Sequence, residues 1–538
     1  MALLRVDSVG SAGFLPDVES WQMEKNSWSD LRDVSLGENS IRPPYLTELY
    51  NVAGPEADLS KYLGIFSHKS FGAWWLVLCT RERVYVTRGG ELYDVTPAGA
   101  QFNSNEEQRW IATSFNGFLI LNNAVDEPHY WAITETDVLL PELTPLSQYP
   151  GSSPWPSGQS CAWIESFNSA LFAGSIINNA GKFPYLVQFS DFAEPGTLPQ
   201  AWEPRPENSA GSRDLADGQD EIISGKAFKD ALIVRKEFSV YYFRFIGGQF
   251  VYQRKTISEK VSCLNKFCVE NTDAFQIVVG ESDIYVTEGT VHRSIVKNRI
   301  KNWFFDNLNT SRRDAVFVLH STLKDEIWIM APQGDSEYCN IALIWNYLEN
   351  TFTTRTCNGF VAATEGEGIT PEPWVPWSGL LTDWTDWQDL WGLDRTELDK
   401  RRLIFSQFIA LEDSEVRNIL IGQPLEPVSE VDELYIERMH IPFPRGDVMD
   451  WESIKQISYI APKCRKAGVN FYMDIWLGTQ EDIDSHIKWH GPKRWRPGKK
   501  GVFFDKSGRF VSIKARMPSD VNFRLTGYDI EYKLVSKR

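Results

Sequence analysis

The sequence lacks most of the signals that would assign it a chemistry. No stretch reaches the roughly 18 apolar residues that a membrane-spanning helix needs. The opening, MALLRVDSVGSAGFLPDVES, has no basic segment followed by a long apolar run, so no secretory signal is expected. Cysteine is sparse: seven residues, at 79, 161, 263, 268, 339, 357 and 464, an odd number without a CxxC pair. That pattern speaks against a disulfide framework and for reduced, mostly buried thiols. There is no GxxxxGK[ST] loop, no GxGxxG before a helix, no GxSxG elbow and no Cys–His pairing. Of the seven histidines only His486 and His490, in SHIKWHG, stand four apart. A Gly-Pro follows them and strand patterns flank them, so a metal site is not expected. Basic residues are in deficit, 55 against 72 acidic, for a net charge of −17. This argues against a dedicated nucleic-acid binder, though it would suit a surface past which DNA slides without sticking.

What the chain does have is apolar and aromatic mass. It is 42% hydrophobic with 21 tryptophans over 538 residues, enough for a large core in two or three domains. It also repeats itself. RVYVTRGGELYDV (83–95), SVYYFRFIGGQFVYQ (239–253) and DIYVTEGTVHRSI (283–295) are variants of one phrase. In each, apolar residues alternate with period two, a glycine-bearing turn follows, and a second strand returns, which is the signature of a β-hairpin. Other hairpins fill the gaps: WIATSFNGFLILNN (110–123), ALFAGSI with YLVQFSD, IISGKAFKDALIVRKE (222–237), and EIWIMAP with IALIWNYLENTFTTRT. Strand pairs thus recur from 60 to 360 with almost no helical pattern between them. Radial repetition of small antiparallel sheets protects so many edges, and blades of about 40–50 residues would place some six of them here.

The fold expected is therefore mainly β, a β-propeller of about six blades at 60–360 plus a second antiparallel β domain at 401–538. Residues 1–60 lack a core of their own and are expected to pack on that second domain. Residues 361–400 form a connector rich in Trp, Pro and Asp, including WSGLLTDWTDWQDLW.

Three places could carry chemistry. Glu281, Asp283 and Glu288 surround a glycine, but an extended strand separates them, too far apart to share one calcium ion. Asp383, Asp386 and Asp389 could serve as a glycosidase acid and base. They alternate with Trp384, Trp387 and Trp391, and tryptophans as packing or interface anchors is the plainer reading. KWHGPKRWRPGKK (488–500) interleaves basic residues with Trp489 and Trp495. It reads as a solvated loop, or as a patch that stacks on single-stranded nucleic acid or docks on an acidic protein.

One succession of segments resembles a known family. FQIVVGESDIYVTEGTVHRSIVKNRIKNWFFDNLN is followed by KDEIWIMAPQGDSEYCNIALIWNYLENTFTTRT, as in the tail nozzle, or packaged-DNA stabilisation, proteins of short-tailed bacteriophages. The matching positions include Asp283, Tyr285, Gly289, Trp303, Phe304, Glu326, Trp328, Trp345, Asn346 and Tyr347. NSWSDLRDVSLGENSIRPP resembles the opening of that family, with Asp33 where the family has Asn, and RLTGYDIEYKLVSKR resembles its final strand. The resemblance implies a non-enzymatic virion protein without cofactors. Six copies would form a tube below the portal and its adaptor, closed by a tip or needle until infection, with tail fibres as a further candidate partner. Double-stranded DNA would pass through without sequence-specific binding. Within that picture, Trp374, Trp377, Trp384, Trp387 and Trp391 are candidate subunit contacts. Lys493, Arg494, Arg496, Lys499 and Lys500 are a candidate basic docking segment. A propeller glycoside hydrolase, or a propeller that binds a carbohydrate or peptide, is the alternative.

Overall fold

The computed structural model describes the chain except for residues 1, 45–46, 50–61, 71, 89–90, 134–139, 219, 249–250, 259–260, 290, 367–400, 412–413, 423–432, 446–447, 469, 520 and 538. The fold is a β-propeller joined to a second antiparallel β unit.

Five separate four-stranded antiparallel sheets follow one another, beginning at Gly64–Ser70, Ile111–Phe115, Ser160–Phe167, Ile222–Phe228 and Val269–Asn271. A sixth set of four, Phe317–Ser321, Glu326–Ala331, Cys339–Asn346 and Thr351–Gly366, has the same order but belongs to a larger sheet. The first strands of successive blades lie side by side around a central channel. The ring closes where Thr351–Gly366, past a register shift between Phe360 and Ala362, lies against the first strand of blade one.

Each of the three repeated phrases forms the third and fourth strands of its blade: Val84–Arg88 with Glu91–Asp94, Val240–Phe245 with Tyr252–Ser258, and Ile284–Thr287 with His292–Ser294. The turn before each phrase is closed by the same backbone bond. Thr80 N–H donates to Arg83 O at 2.8 Å, Lys236 N–H to Ser239 O at 2.8 Å, and Gly280 N–H to Asp283 O at 2.9 Å. The alternation sends one face of every blade into its neighbour. Trp163 of blade three is 2% exposed and fills the space left by Gly174 and Gly225, where an added Cβ would come within 2.5 and 2.3 Å of its ring.

The second unit is built from both ends of the chain. Ala2–Asp7 pairs with Arg524–Lys537, which also pairs with Ser453–Arg465. The other sheet runs from blade six through Asp30–Arg32 to Glu433–Arg438, Phe510–Pro518, Met473–Gln480 and Lys488–Trp495. The inner faces of the two sheets share one core, with Leu434, Ile436, Leu477 and Ile513 against Ile457, Ile460, Ile530 and Tyr532.

Two features differ from the sequence reading. The hairpin formed by Arg402–Leu411 and Ser414–Gly422, expected in the second domain, pairs with the end of blade six instead. It packs Ile404 and Ile419 against Ile65, Leu76 and Leu78 of blade one. The basic stretch read as a solvated loop is an edge strand up to Trp495. Its Pro492 is tolerated there because an edge strand leaves one row of N–H groups unpaired.

Candidate functional site

The motif residues that carry the nozzle resemblance do not line a cleft. They build the junction between blade five, blade six and the N-terminal segment. Asp283 is 7% exposed. One of its carboxylate oxygens accepts from Ser294 Oγ at 2.7 Å, and the other meets Lys301 Nζ at 3.4 Å, tying the hairpin to the helix Lys301–Asn307. Gly289 turns the hairpin at φ +87°. In the helix, Phe304 is fully buried, and Trp303 meets Phe14 edge-to-face at 5.1 Å. The helix has no cap of its own, and Asp17 supplies one: its carboxylate accepts from the N–H groups of Asn302 at 2.6 Å and Trp303 at 2.9 Å. A carboxylate at a helix N-terminus satisfies orphan donors and complements the dipole.

The blade-six residues are equally structural. Glu326 is buried and accepts from Trp328 Nε1 at 3.0 Å; burial pushes its carboxyl pKa up, against the pull of Lys324. Trp345 Nε1 donates to Asn350 Oδ1 at 3.2 Å, and Asn346 Oδ1 accepts from Glu349 N–H at 2.9 Å within the same turn. Tyr347 Oη donates to Asp325 Oδ1 at 2.9 Å. Asp33 adopts φ +58°, a region that Asn and Asp tolerate best, so either residue suits the position. Its carboxylate accepts from Thr356 N–H at 2.7 Å and Thr356 Oγ1 at 3.0 Å.

Of the basic segment, Lys493 donates to the Phe503 carbonyl. Arg494 grips Asp474 with two bonds of 2.8 and 2.7 Å and lies 4.0 Å over the Tyr472 ring. Arg496, Lys499 and Lys500 are exposed in the turn that follows and make no ion pair with a described residue. Trp489 is half-buried with Lys514 Nζ 4.2 Å from its ring centre, and Trp495 is buried. Trp374, Trp377, Trp384, Trp387 and Trp391, with Asp383, Asp386 and Asp389, lie outside the described residues.

The sequence reading missed the propeller channel. A cavity of about 380 Å³ is lined by the first strands of all six blades. Lys226 Nζ pairs with Glu270 at 2.8 Å, and Glu165 of the neighbouring blade also acts on it. Burial opposes the charge of Lys226, but the two carboxylates outweigh it and hold its pKa above the ordinary value. Burial pushes the Glu165 carboxyl up to about 7 despite the nearby lysine. Lys266, also in the channel lining, has no hydrogen-bond partner for Nζ among the described residues, and burial beside Arg109 lowers its pKa to about 7. The available signal was a charged residue within the first strands of three successive blades, in WIESF, SGKAF and CVEN.

No family model and no curated protein matches the chain. Solved structures similar to it include the β-propeller domain of Cps50 (Swd1) from Myceliophteria thermophila, at 9% identity and a TM-score of 0.38, covering 70% of this chain and 100% of that one. The AfRom2 CNH domain is similar at 8% identity and a TM-score of 0.36, covering 71% and 100%. BBS1N, solved in complex with ARL6DN, is similar at 9% identity and a TM-score of 0.37, covering 70% and 97%.

Proposed function

We propose that this chain is a tail nozzle subunit of a short-tailed bacteriophage, a non-enzymatic virion protein that forms a homohexameric ring below the adaptor. There it helps to retain the packaged DNA and then conducts it during infection. The observation that carries the reading is the run of family-motif residues from Asp283 to Phe352. Their side chains serve packing and turn formation. A motif of that kind records an architecture, and the reading needs an architecture. The acidic net charge of −17 suits a wall that DNA must pass. The tryptophan-rich block at 374–391 and the exposed basic turn are the proposed contacts with neighbouring subunits, the adaptor and the tail tip. Electron microscopy of the particle that contains the chain is the test. A closed six-fold ring on the tail axis is expected, and a ring of another order, or absence from the particle, overturns the reading.

One observation favours a second reading, a propeller glycosidase. Glu165, whose carboxyl burial raises to about 7, and Glu270 share the channel, and two carboxyl groups facing one cavity are the elements of an acid–base pair. Lys226 weighs against it, because its ion pair with Glu270 occupies the would-be base. Hydrolysis of a glycan by the purified chain, abolished by Glu165→Gln, would establish this reading instead.

A further inference from the structure

Most cations buried in this fold are met by acceptors. Lys236 is fully buried, with Asp220 at 3.0 Å and the carbonyls of Leu215 and Gly218 at 2.9 and 3.3 Å. Arg438 is equally buried and donates to the carbonyls of Ser20, Met23, Glu24 and Met439. Arg109 reaches three carbonyls, those of Val361, Asp314 and Val316.

Arg235, the residue before Lys236, is met by one acceptor only among the described residues. It is 1% exposed. Its Nη2 donates to Gln276 Oε1, while Nε and Nη1 find no acceptor among the described residues. No carboxylate is among the causes that act on its charge; the Cys263 thiol is the one that favours it. A lysine so placed can shed its proton, as Lys266 does in part. A guanidinium cannot: burial lowers the Arg235 pKa only to about 10, so the group is charged at neutral pH. An uncompensated charge in an apolar interior is among the costliest features a fold can carry, and a buried donor needs an acceptor.

A second orphan lies near. His292, on the outer strand of blade five, engages Thr287 Oγ1 through Nδ1 at 2.8 Å, and its buried Nε2 has no partner among the described residues. Gln276, which accepts from Arg235, lies opposite Thr287 in the sheet, and Thr287 lies opposite His292; burial first and Arg235 second lower the His292 pKa to about 4. Yet Arg235 and His292 do not bond each other. With the Thr287 hydroxyl donating to Nδ1, Nε2 carries the proton and becomes a third donor. The surroundings are apolar: Ile233, two residues from Arg235 on the same strand face, packs with Val261 and Tyr285. A charged donor pair and a neutral N–H, with their polar atoms shielded from bulk solvent, suit a small anion.

We propose that Arg235 and His292 hold a monovalent inorganic anion of chloride size between blades four and five. The anion neutralises the guanidinium and bridges the two blades. Thermal unfolding of the purified chain in sodium chloride and in sodium gluconate at equal ionic strength tests the proposal. The midpoint should rise with chloride to a plateau and stay flat with gluconate; equal responses to the two salts overturn it. Crystals soaked in bromide should show an anomalous peak within hydrogen-bond reach of Arg235 Nε, and a water there, without that peak, also overturns it. Arg235→Met removes the charge and should abolish the chloride response. Because that variant could fail to fold, His292→Leu is the second test. It removes one donor and keeps the guanidinium, so chloride binding should weaken about tenfold. An unchanged response in His292→Leu refutes the assignment.

Discussion

At the residue scale, two side chains show how far the fold depends on partners distant in sequence. Asp17 caps a helix that begins 284 residues later, at Lys301. Asp17→Ala leaves two N–H groups without that acceptor and should lower unfolding stability by about 1–2 kcal/mol, the usual cost of a lost cap, read from the denaturant midpoint. Asp17→Asn keeps an acceptor and should recover part of the loss. Lys266 makes the opposite case, a side chain the fold would be better without. Its pKa is near 7 in the folded chain, against 10.5 for an unperturbed lysine. Between those values the unfolded chain holds a proton that the folded chain has released, so stability rises with pH across that window. Lys266→Met removes the dependence. The variant should unfold at higher denaturant than the parent at pH 7, and the gap should close as pH approaches 10.5.

At the scale of elements, strands and turns were legible in the sequence because their causes are local. Alternation of Val84 and Val86, or of Ile284 and Val286, marks the strand, although Tyr85 and Thr87 on the other face are buried as well, and the glycine turn fixes where the chain reverses. The equivalence of the three phrases was legible too, down to a shared bond in two of them: Val95 N–H donates to Val84 O, and Ile295 N–H to Ile284 O. What was not legible depends on blades meeting. Nothing in WIESF or SGKAF alone announces that Glu165 and Lys226 share a channel, or that Gly225 must be small because Trp163 of another blade occupies its side-chain space. The edge strand at 488–495 was missed because Gly491 and Pro492 act as breakers within a single strand, and only the sheet shows that this strand has a free edge. Two glycines separate these scales experimentally. At Gly289 a Cβ would meet nothing within 4 Å, so Gly289→Ala carries only the penalty of φ +87°, about 1 kcal/mol. At Gly225 the conformation is ordinary but a Cβ would sit 2.3 Å from the Trp163 ring, so Gly225→Ala should cost about 1–3 kcal/mol or more by overpacking. Trp163→Phe should relieve the second and leave the first untouched, a coupling that a double-mutant cycle measures.

At the scale of the whole molecule, charge decides what a conduit wall can do. A polyanion passing at speed needs a surface that does not hold it, since each Lys or Arg paired with a phosphate releases counterions and adds affinity. With a net charge of −17 the subunit as a body repels DNA, and screening within about 8 Å at physiological salt keeps that repulsion close to the wall. The basic segment looks like an exception in the sequence, but the fold commits part of it to protein contacts. Arg494 is bound by Asp474 and Lys493 by a carbonyl, which leaves Arg496, Lys499 and Lys500 as its unpaired charges among the described residues. Three phosphate contacts would give a salt slope of only about −2.7, far short of a dedicated DNA binder. The isolated protein should therefore show no sequence preference and at most weak binding to duplex DNA near about 0.15 M salt by fluorescence titration, and the little it shows should vanish when those three residues are neutralised. Submicromolar binding at that salt, lost in the same triple variant, would make the turn a DNA grip. A nozzle whose wall grips its cargo in this way could not be the passive conduit proposed for this chain.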